Sequence, residues 1–229
     1  MHYKFLDSAH VANVLVDGTI VISSFEYFRQ LEEAEWDGIA DPLEGATELK
    51  MPDNFVATEN SPELAQLNSA NIGLGLFKNF AKIESGDVIT LSGARFVHQI
   101  QDAFIFSASW GDLSRLRDYM FTKAKRKYDA CLKIKNLHRL ERLVFDKGHI
   151  LDLDRRFSEV FNRGEHKTVE YETRSSSLAA GVLPPSAFKK SVQFKDQSEA
   201  RITFIPRIAL TQKRLIVKIP DPRTIFEKV

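Results

Sequence analysis

An α+β fold, read as one domain over residues 1–229, is what this sequence predicts, and three observations predict it. Short stretches with two-residue alternation recur along the chain, the period of a half-buried strand. Between them lie short segments with helical apolar spacing, several opened by Ser, Asp or Asn, as helices are. With 229 residues, 43% of them hydrophobic and 28% charged, the chain is long and apolar enough to bury a sizeable core.

Taken in order, residues 2–6 alternate as His2-Tyr3-Lys4-Phe5-Leu6 and are expected to form the first strand. Asp7 or Ser8 can then cap a short helix, because a side-chain oxygen accepts from the free amides of its first turn. Val11, Val14 and Leu15 make its apolar stripe. Asp17-Gly18 turns the chain into a second strand over 19–23, and Ser24 opens a helix with Phe25, Phe28 and Leu31 inward. Regularity then fades into a long irregular loop over 32–60, and a loop of that length is usually functional or mobile. Ser61-Pro62-Glu63 starts a helix by cap, pre-set proline and first-turn acid, with a helical region to about 82, interrupted around Gly73-Leu74-Gly75.

Residues 87–91 read as a strand, and 94–101 fit neither period clearly. Residues 103–110 form a buried strand running into a serine-rich turn, and Asp112 caps a helix reaching about 127. The stretch 128–134 is the next strand, Asn136 caps a helix over 138–146, and Lys147-Gly148 stops it. Strands are expected at 149–154, 167–173, 197–205 and 214–219, with a loop over 174–185.

Composition narrows the function classes. A single cysteine, Cys131, rules out an intramolecular disulfide framework and suits a reducing cytosol, so the expected location is cytoplasmic. The chain has no apolar run of bilayer length and no signal-peptide pattern, so no membrane partner is expected. Its six histidines show no HExxH or paired-ligand spacing, so no metal is expected. A net charge of +1 argues against a protein-wide nucleic-acid footprint, leaving room for a local patch.

Such a patch is offered by the basic run Arg115, Arg117, Lys123, Lys125, Arg126 and Lys127, interleaved with Tyr119, Phe121 and Tyr128. It reads either as a solvated helix face or as a phosphate-tracking surface with stacking rings. Asp41 and Glu44 sit in the Gly-, Pro- and acid-rich loop; they lack a third ligand at metal spacing and read as part of a loop that organises a site. Ser107 and Ser109 follow a buried strand, where serine either bonds the turn or orients a polar ligand and a neighbouring carboxylate. Nothing around them supports a serine hydrolase. In the 197–205 strand, alternation puts Gln197, Glu199, Arg201 and Thr203 on one face and Ala200, Ile202 and Phe204 on the other. The polar line is either the solvated face of an antiparallel strand or one wall of a polar cleft.

Several of these pieces resemble a large bacterial family of uncharacterised domains. Tyr3-Lys4-Phe5-Leu6, Thr19-Ile20-Val21-Ile22-Ser23-Ser24, Phe28 and Ala40-Asp41-Pro42-Leu43-Glu44-Gly45 are similar to its Tyr-Lys-Tyr-Arg, Tyr-Phe-Ser-Ser and Phe-Asn-Asp-Pro-Phe-Glu pieces. Phe106-Ser107 resembles its Cys-Phe-Ser strand, and 128–134 the strand that follows. Lys189-Lys190 leading to Gln197-Ser198-Glu199-Ala200-Arg201 resembles its final Lys, Trp and Glu-x-Glu-x-Arg region.

The same order looks like the ADP-ribosyltransferase fold, in particular toxins that modify nucleic acid. That resemblance implies a mostly antiparallel split sheet flanked by short helices, with NAD as substrate and no metal. It makes Glu199 and Gln197 the catalytic pair and assigns the dinucleotide to Lys4, Tyr3, Ser107, Ser109 and Arg201. Asp41, Glu44, Arg115, Lys123 and Arg126 would meet the acceptor. Lys4 stands where the fold carries His or Arg, and Ser-Ala-Ser stands for Ser-Thr-Ser. The implied function is a transferase acting as a toxin or defence effector on nucleic acid or protein, with an antitoxin as possible partner. The other implied role is a non-catalytic module sensing a nucleotide or a partner. A nuclease finds no acidic cluster of metal spacing to rest on.

Overall fold

Alternation at the N-terminus becomes structure as expected: His2–Leu6 and Thr19–Ser24 are strands, joined through a short 3-10 turn and the helix Val11–Leu15. The computed structural model describes residues 1–33, 43, 45–74, 88–100, 103–124, 128–181 and 183–229. Gly18 closes this opening with φ 69°, and a Cβ there would sit 2.3 Å from the Ile219 carbonyl oxygen, so the turn accepts glycine alone. The cap at Ser24 is made as the sequence implies, its Oγ accepting from the Tyr27 amide at 3.1 Å. Asp7 makes no such cap bond; Ser8 instead donates its hydroxyl to Asp129 at 2.7 Å.

The chain is α+β with mostly antiparallel sheets and few helices. Where the sequence reads as one domain over 1–229, contacts divide it into two compact units. The first comprises Met1–Glu44, Gln101–Tyr171 and Ala187–Val229, and the second Gly45–Ile100 and Glu172–Ser186. In the second unit the expected irregular loop over 32–60 contains two strands, Ala46–Lys50 and Phe55–Thr58. Ala46–Lys50 lies between Arg95–Gln99 and Ser175–Ser177, the latter inside the stretch expected to be loop. Glu48 and Lys50, two residues apart on one face of Ala46–Lys50, pair with each other at 3.5 Å. Leu49, Met51, Phe55, Ala57, Leu67 and Leu178 form this unit's own core.

The first unit is organised on two neighbouring strands, Phe104–Trp110 (the serine strand) and Glu199–Phe204 (the glutamate strand). They pair antiparallel from Glu199↔Ser109 to Phe204↔Phe104. Phe104, Phe106, Ala108, Ala200, Ile202 and Phe204 point into the main core, against the helix Leu137–Lys147 and the turn Phe157–Val160. There Phe157 stacks on Phe161 at 4.5 Å and meets Phe204 edge-on at 4.8 Å. Such aromatic packing adds to the burial that makes truncating a core Phe cost about 3–5 kcal/mol.

The serine strand's other edge is shared. Its beginning pairs with the second strand (Ser24↔Phe104, Ser23↔Ile105) and its end with the first (Tyr3↔Ser109, His2↔Trp110). Between those contacts Phe106, Ser107 and Ala108 have no strand partner on that edge, so the first and second strands part like a fork. The first strand continues to Ala130–Ile134 and the second to Arg214–Lys218.

Candidate functional site

At the fork lies a cavity of about 410 Å³, within the size range of small-ligand sites. Tyr3, Lys4, Ser107, Ser109, Gln197 and Glu199 line it, so the structure brings together six of the residues singled out from sequence. Lys190 lines it too, and Tyr27, Phe28 and Arg214 add aromatic and cationic wall. All of these belong to the first unit.

Glu199 is buried at the start of the glutamate strand. Its Oε1 accepts from the Ser107 hydroxyl at 2.6 Å and from Arg201 Nε at 2.7 Å. Its Oε2 accepts from Lys190 Nζ at 3.0 Å and Arg201 Nη2 at 3.3 Å. The backbone amide of Glu199 donates to the Tyr171 hydroxyl at 2.7 Å. Burial by itself pushes this carboxyl's pKa up; the Arg201 and Lys190 charges, with the Arg201 and Ser107 hydrogen bonds, outweigh it and hold it well below the usual range. Glu199 is therefore an anion at neutral pH.

Arg201 is fully buried, and its remaining Nη1 donates to the Ala187 carbonyl at 2.7 Å. The resemblance assigned Arg201 to the dinucleotide; in the structure its guanidinium holds Glu199. The solvated-face reading of this strand is overturned, since every residue of Glu199–Phe204 is buried. Glu165–Thr168 pairs along the outer edge of this strand, while Lys190, the Ala187 carbonyl and the Phe25 ring lie against the Arg201–Glu199 pair.

Gln197 departs from the expected strand. It ends the 3-10 turn Val192–Gln197, and Ser198 follows with a left-handed φ of 44°, so alternation begins only at Glu199. What joins Gln197 to Glu199 is Lys190: its ammonium donates to Gln197 Oε1 and to Glu199 Oε2, both at 3.0 Å, and sits over the Phe194 ring. Lys190 and Tyr171 were not among the residues the sequence assigned to the site. The Lys189-Lys190 pair was visible, but only the strand Lys189–Ser191 running past Glu199 gives one of the two lysines its role.

Lys4 reaches into the fork. Its Nζ donates at 2.8 Å to the Ser107 carbonyl, on the edge that lacks a strand partner, and lies 4.8 Å from the Phe106 ring centre. Ser107 thus links the cation through its carbonyl to the carboxylate through its hydroxyl. Ser109 is buried in register with Glu199 on one side and Tyr3 on the other.

The basic helix is shorter than expected. Asp112 caps it, accepting from the Arg115 amide at 2.9 Å, but Leu113–Asp118 gives way to a π-turn, Tyr119–Lys123. Arg115 pairs with Asp196 at 3.1 Å and Lys123 with Asp118, both in the open, and neither lines the cavity; Met120 and Ala124 do. Asp41, Glu44 and Arg126 lie outside the described residues. Cys131 is buried among Tyr3, Phe5, Leu116 and Met120, where burial pushes its thiol up to about 11, as befits a structural residue.

No helix among the described residues is long and apolar enough to cross a membrane. Comparison of the chain with protein-family models, with characterised proteins and with solved structures finds no match.

Proposed function

We propose that the chain is an NAD-dependent ADP-ribosyltransferase-like enzyme, built on an ADP-ribosyltransferase-like split sheet and acting as a cytoplasmic toxin or defence effector on protein or nucleic acid. The observation that carries this reading is the convergence of Lys4, Ser107 and Glu199 on one cavity, where two strands fork from a third. The residues fit a dinucleotide by chemical class: cations for a pyrophosphate, aromatic walls for flat rings, and an ionised carboxylate for ribose hydroxyls. Cleaving the nicotinamide–ribose bond develops positive charge on the sugar, and a fixed anion such as Glu199 stabilises it in a water-poor setting. Gln197, tied to Glu199 through Lys190, orients the incoming acceptor.

One observation favours a second reading, a non-catalytic module that senses a nucleotide or a partner such as an antitoxin. The two oxygens of Glu199 already accept four hydrogen bonds, which fills a carboxylate's capacity. Catalysis therefore requires Ser107 or Lys190 to yield its place to a ribose hydroxyl.

Labelled NAD, incubated with the protein alone and with RNA, DNA or cell lysate, separates the two. Nicotinamide release or label transfer that is lost in Glu199→Gln and reduced in Ser107→Ala supports the enzyme, and the labelled fraction names the acceptor class. NAD binding by calorimetry with no turnover supports the sensing module. Neither binding nor turnover sinks both.

A further inference from the structure

A second carboxylate, away from the fork, is surrounded by donors of a different kind. Glu141 lies on the helix Leu137–Lys147 with its side chain only 3% exposed. One turn earlier on the same helix face, His138 brings Nδ1 to 3.2 Å from Glu141 Oε2. From the strand Glu165–Thr168, His166 brings its Nδ1 to 3.9 Å from the same oxygen. The three donor atoms lie within 4.8 Å of one another, and the two rings face each other with centres 5.2 Å apart. Arg163 Nε engages the opposite oxygen, Oε1, at 3.4 Å.

We propose that His138, Glu141 and His166 form a binding site for a divalent transition-metal ion of the zinc class, which clips the helix to the strand. Two imidazoles and one carboxylate oxygen are a zinc ligand set. With metal–ligand bonds of about 2.0–2.2 Å, a tetrahedral site spaces its donors about 3.3–3.5 Å apart. The 3.2 Å pair lies just below that spacing and the 3.9 Å pair just above it, and all three donors lie within 4.8 Å, so small side-chain rotations bring them to it. Both imidazoles are partly exposed, at 52% and 36%, so they can rotate inward, and the fourth position opens toward water. Arg163 on Oε1 leaves Oε2 for the metal, the outer-sphere arrangement that orients a ligating carboxylate. A buried carboxylate is costly without a cation beside it, and the guanidinium on Oε1 is mostly exposed, so a cation held between Oε2 and the two imidazoles adds to its balance.

Sequence spacing did not reveal this site because His138-x-x-Glu141 is not HExxH and the third ligand arrives 25 residues later, folded back by strand pairing. His166 lies opposite Ile202 of the glutamate strand, so the clip secures the strand that pairs along that strand's edge.

The test uses the whole chain, freed of metal by chelator and titrated near neutral pH with Zn²⁺ by calorimetry and with Co²⁺ by visible absorption. The expected result is one saturable Zn²⁺ per chain, tetrahedral Co²⁺ bands, and a melting temperature that rises with Zn²⁺. His138→Ala and His166→Ala each weaken binding by at least roughly 100-fold, since even outer-sphere partners are worth 10–100-fold. The site loses its metal on acidification, because protons compete for imidazole. Both histidines are partly exposed, so their variants keep the fold and remain informative even if Glu141→Gln does not. Absence of saturable binding, or binding unchanged in His166→Ala, overturns the proposal. None of these readouts depends on turnover of NAD.

Discussion

Glu199 and Glu141 are two carboxylates buried in the same unit, and they are balanced in opposite ways. The cations facing Glu199 are themselves buried, Lys190 at 3% side-chain exposure and Arg201 at 0%. Those facing Glu141 are open: Arg163 is 60% exposed, and the two histidines carry charge only when protonated. The first carboxylate is neutralised from within, by groups that fold with it and are shielded from salt. The second has one open guanidinium on Oε1 and two imidazoles facing Oε2, which leaves room for an incoming cation. A site meant to hold charge in a fixed place for a ligand resembles the first; a site meant to take up a cation resembles the second.

The largest expected effect breaks the internal balance. Arg201→Leu leaves Glu199 buried with Lys190 as its remaining close cation, and stranding a buried charge costs about 3–5 kcal/mol. Measured by denaturant midpoint, that loss should exceed any single change around Glu141. If Arg201→Leu unfolds no more easily than the native chain, the pair is not neutralised as described.

Acid sharpens the same contrast. The folded pKa of Glu199 lies below its unfolded value, so the stability it contributes is fully present above the ordinary carboxylate range. It is lost as pH falls below about 4 toward the folded value. Glu199→Gln lacks that dependence. The stability gap between native chain and variant should therefore narrow on acidification; a constant gap would contradict the depressed pKa. Ser107→Ala comes next: removing one hydrogen bond to a charged acceptor costs about 1.5–3 kcal/mol, with no charge stranded.

How much of this was legible beforehand follows from what sequence periodicity encodes. The strands at 2–6, 19–24 and 104–110, and the caps at Ser24, Ser61, Asp112 and Asn136, depend on neighbours within four residues. The roles given to Glu199 and Ser107 came from the resemblance; strand alternation by itself only put Glu199 and Arg201 on one face. Lys190, Tyr171 and His166 were not legible, because their roles come from pairings between strands far apart in sequence. The burial of both faces of Glu199–Phe204 was missed for the same reason: alternation reports polarity, while the groups against the polar face, Lys190, the Ala187 carbonyl and the Phe25 ring, come from other segments. Gln197 was misplaced by one local event, the left-handed Ser198, which no period reveals.

The smallest effect tests the open side. Arg163 is mostly exposed, its contact with Glu141 is long at 3.4 Å, and exposed ion pairs contribute about 0–1 kcal/mol. Arg163→Gln should therefore shift the denaturant midpoint of the chain little, and the shift should shrink further as salt is added, since screening acts on exposed pairs. Arg201→Leu should stay costly at every salt concentration. A large, salt-insensitive loss in Arg163→Gln would mean that Glu141 depends on its guanidinium as Glu199 depends on Arg201. The two carboxylates would then be balanced by one rule, and no incoming cation would be needed.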